Sequence, residues 1–306
     1  MDNRSGEMLA FVKVVETGSF SAAAQLLDLT PSAVSKLVTR IEERLGVQLF
    51  RRSTRQLVLT NEGIEFYGRS VRILEDIDEA EQGVSQGTAI VRGQLRVNVS
   101  LPFGMHCVLP LIPEFYRRHP EVVLDLSLTD AKVDLQRERV DVAIRMGPLD
   151  DASFRARLLG HSRRAVVASP TYLAGRDVPV VPSDLTRHVC LNFNFRRTSD
   201  GWPFLLDGEV AQLPIRGGVL TNNGETMRQL TLDGLGISRL GMFHVFDDLK
   251  AGRLVELLPE YNAGDIEDIT IIFPNQRHMP QRTRTFIDFA VENLEPLLRA
   301  TGDVKL

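Results

Sequence analysis

The chain has 306 residues, of which 43% are hydrophobic and 25% charged, an ordinary composition for a folded protein of two or three domains. Its net charge is −4, and its two cysteines, Cys107 and Cys190, have the spacing of neither a disulfide framework nor a metal site. The sequence contains no apolar run of about 18 residues, and residues 1–10 lack the apolar segment of a secretion signal. We therefore expect a cytoplasmic protein that has no membrane partner.

Three short helices are predicted before residue 46. Residues 8–15 supply a covering helix, and residues 20–27 repeat apolar side chains at the i, i+3, i+4 and i+7 spacing of a second helix. Thr30 and Pro31 are typical of the cap and first turn of a third helix, which Gly46 is expected to end. The two later helices, joined by a tight turn, form the pattern of a helix-turn-helix.

The polar face of the third helix carries short hydroxyls and long cations, which can hydrogen-bond base edges and phosphates. Between Thr30 and Thr60 there are six Lys or Arg and two Glu, a net charge of +4, so the remainder of the chain carries −8. A basic patch on an acidic chain indicates a nucleic-acid contact surface. Helix spacing alone leaves open an ordinary three-helix bundle with a solvated polar face. The polar-face residues are Ser32, Ser35, Lys36, Thr39 and Arg40.

A short wing is predicted after the third helix. Residues 49–50 and 57–59 have strand propensity, and they flank the three cations Arg51, Arg52 and Arg55. This arrangement fits a hairpin whose tip reaches phosphates or the minor groove of DNA.

The ordered motifs over about sixty residues resemble the amino-terminal domain of LysR-type transcriptional regulators. The length and the order of the later parts also match, so the resemblance covers the whole chain. The motifs are Phe20-Ser21-x-Ala23-Ala24, Pro31-Ser32-Ala33-Val34-Ser35-Lys36, Ile41-Glu42-x-x-Leu45-Gly46-x-x-Leu49-Phe50-x-Arg52 and Leu59-Thr60-x-x-Gly63.

The resemblance implies that some of the predicted residues contact base edges and that others contact the DNA backbone or minor groove. Many members carry Gln where this chain has Pro31 and Arg where it has Lys36, so their base preference cannot be transferred. The resemblance assigns base edges to Pro31, Ser32, Ser35 and Lys36, and the DNA backbone or minor groove to Thr30, Arg40, Arg51, Arg52 and Arg55.

Residues 61–86 are predicted to form one long helix capped by Thr60. Its narrow apolar seam is typical of a helix that pairs with a copy of itself, although packing on its own domain is the alternative. The resemblance favours self-association, as a dimer or a tetramer, which would present paired recognition helices to a pseudo-palindromic site. Residues 87–93 are expected to form a hinge. The seam consists of Ile64, Tyr67, Val71, Leu74, Ile77 and Val84.

From residue 93 the pattern changes to alternating strands and helices. Strands are predicted at residues 95–99, 122–128 and 141–146, with helices at 102–118 and 132–139, a rhythm that indicates a parallel sheet. A second unit of this kind is predicted from Arg164, and the resemblance implies that residues 268–306 return to the first. The chain would then pass between the two lobes twice, as in periplasmic solute-binding proteins.

We therefore expect an α+β chain in three parts. Residues 1–60 form a winged helix-turn-helix domain, and residues 61–92 form a linker and dimerisation helix with a hinge. Residues 93–306 form a two-lobed α/β effector-binding domain like that of periplasmic binding proteins. Lobe I covers about 93–163 and 268–306, and lobe II covers about 164–267.

Ligands of open parallel sheets bind beyond the carboxyl ends of the strands, often at helix N-termini with free N–H groups. A small-molecule effector is therefore expected in the cleft between the lobes, and an anionic metabolite suits a helix start. For each residue alone, turn or capping chemistry is the alternative. The predicted effector-binding residues are Ser100, Leu101, Pro102, Thr129, Arg145, Asn192, Asn194, Asn222 and Asn223.

The sequence contains no phosphate loop, zinc-protease motif, nucleophile elbow or Cys/His cluster, so we predict no catalytic site, no metal site and no cofactor. His106 lies close to Ser100 but lacks the acidic third member of a nucleophile–base arrangement. The favoured function is a transcription regulator that binds double-stranded promoter DNA and senses an effector. The alternatives are a constitutive DNA-binding protein without an effector, and a solute-binding or catalytic module with an incidental helical domain.

Overall fold

The computed structural model describes residues 3–51, 57–84, 90–131, 140–149, 154–195, 201–215, 217–275 and 279–302. The chain divides into two compact units, Met1–Ala89 and Ile90–Leu306, which we call the helical unit and the two-lobed unit. Among the described residues, no helix is both long and apolar enough to cross a membrane.

The helical unit contains the helices and wing strands that the sequence predicts. The strands β1 and β2 pair antiparallel, with Phe50 opposite Leu59 and Arg51 opposite Val58. The elements are α1 (Arg4–Thr17), α2 (Phe20–Leu26), α3 (Pro31–Leu45), β1 (Phe50–Arg51), β2 (Val58–Leu59) and α4 (Asn61–Val84).

Local chemistry at the helix ends explains these boundaries. The hydroxyl of Ser19 accepts a hydrogen bond from the backbone N–H of Ala22, which identifies Ser19 rather than Ser21 as the cap of α2. Gly46 ends α3 with a φ of +70°, a left-handed conformation that residues with a side chain rarely adopt. Thr60 caps α4 by accepting from the N–H of Gly63 at 2.9 Å.

The apolar seam of α4 is divided between two environments. Tyr67, Val71 and Leu74 pack against the buried core of α1, α2 and α3, so this part of the seam serves its own unit. Ile64 remains exposed and Ile77 is half-exposed. The two alternatives for the seam therefore apply to different residues: packing on its own unit accounts for Tyr67, Val71 and Leu74, whereas pairing with a second copy stays a prediction for the others.

The two-lobed unit has a central sheet in the order β11-β6-β13-β5-β3-β4, with β12 also paired to β6. Predicted helix residues 132–139 lie outside the described residues. The strands are β3 (Gly93–Val99), β4 (Val122–Leu128), β5 (Val142–Met146), β6 (Phe154–Ala168), β7 (Cys190–Phe193), β8 (Trp202–Leu206), β9 (Glu209–Leu213), β10 (Gly217–Thr221), β11 (Ser238–Gly241), β12 (Val255–Leu257) and β13 (Ile266–Pro274). The helices are α5 (Leu101–Phe103), α6 (Ile112–Arg118), α7 (Pro170–Leu173), α8 (Gly224–Leu232), α9 (Met242–Lys250) and α10 (Gln281–Gly302).

In lobe I, strands β4, β3 and β5 are parallel neighbours, as the alternating pattern predicts. The segment between α5 and α6 is helical but irregular, with a π-helical turn at Gly104–Val108 and a 3-10 turn at Leu109–Leu111. The helix α10 returns to this lobe, where Phe286, Phe289 and Leu294 join its core.

Strand β6 belongs to both lobes. Residues 154–163 pair with β13 of lobe I, whereas residues 164–168 pair with β11 and β12 of lobe II. The predicted boundary at Arg164 therefore falls inside a continuous strand. The prediction of a second all-parallel unit is also corrected, because β11 and β12 run antiparallel to β6, although β7 is parallel both to β10 and to Ile237 beside β11.

Candidate DNA-binding and effector-binding sites

The outer face of α3 is fully exposed and carries two cations. Lys36 and Arg40 have no ion-pair partner in the part of the chain that the structure describes. Arg51, on the strand β1 that follows α3, is exposed as well. Such cations are free to engage phosphates or bases. Arg52 and Arg55 lie outside the described residues. The exposed residues of α3 and its cap include Thr30, Pro31, Ser32, Ser35, Lys36, Thr39 and Arg40.

Acidic residues on the inner side hold α3 in place. Glu42 accepts hydrogen bonds from the backbone N–H of Leu49 at 2.7 Å and of Phe50 at 3.3 Å, which fixes β1 to α3. Arg44 pairs with the buried Glu7 of α1. In the Arg44–Glu7 pair one positive and one negative charge cancel inside the unit. The positive charge of the outer face therefore comes from Lys36 and Arg40.

Thr30 is also a structural residue, since its hydroxyl accepts from the N–H of Ala33 at 3.2 Å. We expect Thr30→Ala to lower the unfolding free energy of the helical unit by about 0.5–2 kcal/mol, the usual effect of losing a helix cap. The matched variant Thr30→Ser keeps the hydroxyl and should retain most of this free energy. Urea unfolding of the full chain, followed by far-UV circular dichroism, measures both; equal midpoints for the two variants would show that the cap contributes little.

Backbone hydrogen bonds gather the lobe I candidates at one edge of the sheet. The N–H of Thr129 donates to the carbonyl of Val99 at 2.9 Å, and the N–H of Ser100 donates to the carbonyl of Ile144 at 3.2 Å. These bonds place Thr129, Ser100 and Arg145 at neighbouring strand ends. Arg145 in turn donates to Asn98 Oδ1 at 2.6 Å, and that amide is buried.

Two residues at the start of α5, Leu101 and Pro102, do not offer the free N–H groups expected for an anion. Asp130 accepts a hydrogen bond from the N–H of Leu101 at 3.0 Å, and Pro102 has no N–H. Burial raises the pKa of the Asp130 carboxyl, against the opposing effects of this hydrogen bond and of the Arg145 charge. The expectation that the Leu101 N–H is free to bind an anion is corrected, because the Asp130 carboxyl already accepts a hydrogen bond from it.

In lobe II the asparagines follow the strands as predicted, and the side chains of three of them act in local structure. Asn223 caps α8 by accepting from the N–H of Thr226 at 2.8 Å, and its own amide donates to Asn222 Oδ1 at 3.0 Å. Asn192 accepts from the N–H of Phe193 at 3.0 Å, and the N–H of Asn194 donates to the carbonyl of Thr221. Capping and turn chemistry thus accounts for most of the side-chain contacts here.

The two sets of strand ends face each other across the lobes. Gly224, the first residue of α8, lies so close to lobe I that a Cβ atom there would be 3.3 Å from Pro102 Cγ. Near this contact, Phe103 of α5 meets Phe243 of α9 edge to face, with 5.3 Å between ring centroids. The start of α5 in lobe I and the start of α8 in lobe II therefore meet at one junction, which Pro102 and Asn223 border.

Three further polar side chains meet at this junction. His106 Nε2 and His244 Nε2 each lie 2.7 Å from the same oxygen, Oε2 of Glu225. Although burial opposes ionisation of Glu225, the hydrogen bonds from both histidines hold its pKa well below the usual range. Burial lowers the pKa of His244. Sequence reasoning missed this cluster, because 119 positions separate His106 from Glu225 and only the lobe topology joins them.

The two cysteines are buried and unpaired. Burial raises the pKa of the Cys190 thiol to about 11, and burial together with the charge of Asp247 raises that of Cys107 further. Both thiols are thus held in the protonated, poorly reactive form.

Comparison with known proteins agrees with this two-part architecture. Residues 6–64 match the family described as bacterial regulatory helix-turn-helix protein, lysR family, and residues 89–295 match the LysR substrate binding domain. The chain belongs to the LysR family of transcriptional regulators. The LysR-type regulator thus joins a DNA-binding helix-turn-helix to an effector-binding domain, as the sequence motifs predict.

Relatives of this LysR-type regulator match it over nearly its whole length. It is 38% identical to the HTH-type transcriptional regulator CrgA of Neisseria meningitidis serogroup C (strain 8013), over 96% of this chain and 98% of CrgA. It is 34% identical to PtxR of Pseudomonas aeruginosa, over 97% of this chain and 95% of PtxR. A solved structure of CrgA covers 94% of this chain and 98% of its own, with a TM-score of 0.64.

Regulators of the LysR family bind promoter DNA and small-molecule effectors and form oligomers. For this LysR-type regulator, the residues that perform each task remain predictions. The described DNA-binding positions of α3 and its cap are exposed, whereas several of the effector candidates already have protein partners.

Proposed function

We propose that the outer face of α3 enters the major groove of promoter DNA. The observation that supports this is that Lys36 and Arg40 are exposed and have no ion-pair partner among the described residues, on a helix whose other side is anchored by Glu42 and Arg44. Ser35 and Lys36 are assigned to base edges, and Arg40 and Arg51 to phosphates. The same proposal includes Thr30, Pro31, Ser32 and Thr39, and the wing residues Arg52 and Arg55.

Self-association through α4 is part of the proposal. Tyr67, Val71 and Leu74 pack on their own unit. Ile73, which is exposed, and Ile77, which is half-exposed, lie four residues apart on one face of α4 and leave an apolar strip for a second copy. A symmetric pair would present two recognition helices to the half-sites of a pseudo-palindrome. Dimer and tetramer are both compatible with this strip. A regulator of this kind acts in the cytoplasm, through binding rather than catalysis.

The effector is proposed to bind where the strand ends of the two lobes meet. Arg145 supplies a positive charge beside Ser100, and the Pro102–Gly224 contact brings lobe II close to both. An anionic metabolite is the class of effector that this charge favours. It would use the Arg145 guanidinium and the Ser100 hydroxyl, while the Leu101 N–H stays with Asp130.

The regulatory step is proposed to be a population shift between two lobe arrangements. Effector binds one arrangement better, and the resulting change in the oligomer alters half-site spacing or DNA bending. A constitutive DNA-binding protein would lack this response.

A thermal-shift screen tests the effector site. We expect an anionic metabolite at about 100 times its Kd to stabilise the full-length protein by roughly 2.7 kcal/mol. Ser100→Ala should abolish that stabilisation while promoter binding is retained. The matched variant Ser183→Ala removes an exposed hydroxyl elsewhere in lobe II and should respond like the unmodified protein. An undiminished response in Ser100→Ala would place the effector elsewhere, and stabilisation only by uncharged compounds would contradict the anionic class.

A further inference from the structure

The cluster of His106, Glu225 and His244 brings three ligand-type atoms together from three elements. His106 stands on the π-helical turn of lobe I, Glu225 in the first turn of α8, and His244 in the first turn of α9. The two imidazole nitrogens and the carboxylate oxygen all lie within 4.8 Å of one another. Among the described residues, this is the group of His, Cys, Asp and Glu side chains that meets this condition.

Two imidazoles and one carboxylate form a donor set suited to zinc and related divalent transition-metal ions. A tetrahedral zinc ion with bonds of about 2.0–2.1 Å separates its ligand atoms by roughly 3.4 Å. Each histidine must therefore move back from Glu225 by less than 1 Å from its present 2.7 Å contact, and the two imidazole nitrogens, now within 4.8 Å of each other, must reach the same spacing. On binding, each imidazole turns its Nε2 lone pair to the metal and carries its proton on Nδ1.

The surrounding contacts orient the carboxylate for this role. The other oxygen of Glu225, Oε1, accepts from Arg228 Nη1 at 3.0 Å. Arg228 is itself fixed by the buried Asp248, whose Oδ2 lies 2.6 Å from Arg228 Nε. Glu225 Oε2 is thus the oxygen left for the two histidines. Partners of this kind hold a metal-binding carboxylate in its productive orientation.

The three side chains differ in solvent exposure, and the cluster is open to solvent on one side. The side chain of His244 is 2% exposed, whereas those of Glu225 and His106 are 19% and 24% exposed. An ion can therefore reach the cluster from the side of His106. Three protein ligands also leave a fourth coordination position for water or a small anionic ligand.

The geometry points to a site for one zinc-class divalent cation at His106, Glu225 and His244. Because His106 belongs to lobe I and Glu225 to lobe II, the bound ion connects the two lobes. Metal occupancy then favours the lobe arrangement in which the three side chains converge. This inference goes beyond the proposed effector site and does not depend on it.

Zinc titration of the full-length protein after dialysis against EDTA tests the site, with a chromophoric chelator reporting free zinc. We expect one ion bound per chain, with the affinity reduced at least about 10-fold in His106→Ala and in Glu225→Gln. The control His161→Ala removes a histidine that pairs with Asp268 outside the cluster, and should bind zinc like the unmodified protein.

Thermal unfolding provides a second readout. Added zinc should raise the Tm of the unmodified protein and of His161→Ala, but not that of Glu225→Gln. If a substitution at the more buried positions prevents folding, His106→Ala still tests the site, because His106 is the most exposed of the three side chains. Failure of the unmodified protein to bind one zinc ion per chain would overturn the assignment. Undiminished zinc affinity in both His106→Ala and Glu225→Gln would overturn it as well.

Discussion

Replacing Phe11 by alanine is expected to lower the unfolding free energy of the helical unit by about 3–5 kcal/mol, the usual effect of removing a fully buried aromatic ring. Phe11 has no exposed surface, and its ring centroid lies 5.4 Å from that of Phe50 and 5.3 Å from that of Phe66. One side chain therefore connects α1, the wing and α4. Its loss leaves a cavity at the point where all three meet.

Urea unfolding of the full chain can report the two units separately. The helical unit contributes strongly to the far-UV circular dichroism signal, whereas the single tryptophan, Trp202, lies in the core of lobe II. We expect Phe11→Ala to shift the helical transition to lower urea and to leave the tryptophan fluorescence midpoint unchanged. Leu9→Ala, a truncation at a half-exposed position of the same helix, should shift it by much less. Equal shifts for the two variants would contradict the packing described for Phe11.

Lys36→Ala is expected to weaken promoter binding by about 1–3 kcal/mol, which corresponds to roughly 5–150-fold in Kd. The physical reason is the loss of the exposed Lys36 ammonium of α3, the donor that we propose contacts a base edge. Because that contact reads sequence, the variant should also discriminate less between the promoter and a site with substituted bases. Fluorescence anisotropy with both duplexes measures the two effects together.

The control for Lys36 is another lysine of the helical unit. Lys13 of α1 pairs with Glu16 at 2.7 Å, so Lys13→Ala changes the net charge equally without altering α3. It should bind both duplexes like the unmodified protein. If Lys36→Ala weakens binding to both duplexes by the same factor, Lys36 contacts phosphate rather than a base edge.

The helical unit could be predicted closely because its boundaries are set by local chemistry. Thr30 as a cap, Pro31 in the first turn and Gly46 at the end of α3 each act within a few residues of their own position. The packing of α4 could not be predicted in this way. Its apolar seam is compatible with a second copy or with α1, and only the tertiary structure shows that Tyr67 and Leu74 face inward.

Several features of the two-lobed unit could not be predicted from sequence patterns. The first part of β6 carries several charged residues, so the sequence pattern does not predict a strand there. In the structure, ion pairs such as Arg157–Glu295 and Arg163–Glu256 accommodate these charges. Asn223 could be foreseen as either a turn residue or a ligand residue, and the structure shows it capping α8. The His106–Glu225–His244 cluster depends on the docking of one lobe on the other, which no local spacing reveals.

Binding of the full-length protein to its own upstream intergenic DNA tests the central claim most directly. The measurement is fluorescence anisotropy at low and at physiological salt, with a shuffled duplex of the same length as competitor and with or without cell extract to supply effector. We expect the intergenic duplex to be retained at physiological salt and preferred over the shuffled one by at least about 10³-fold. Equal affinity for both duplexes under every condition, or no binding even at low salt, would contradict the assignment of α3 as a recognition helix.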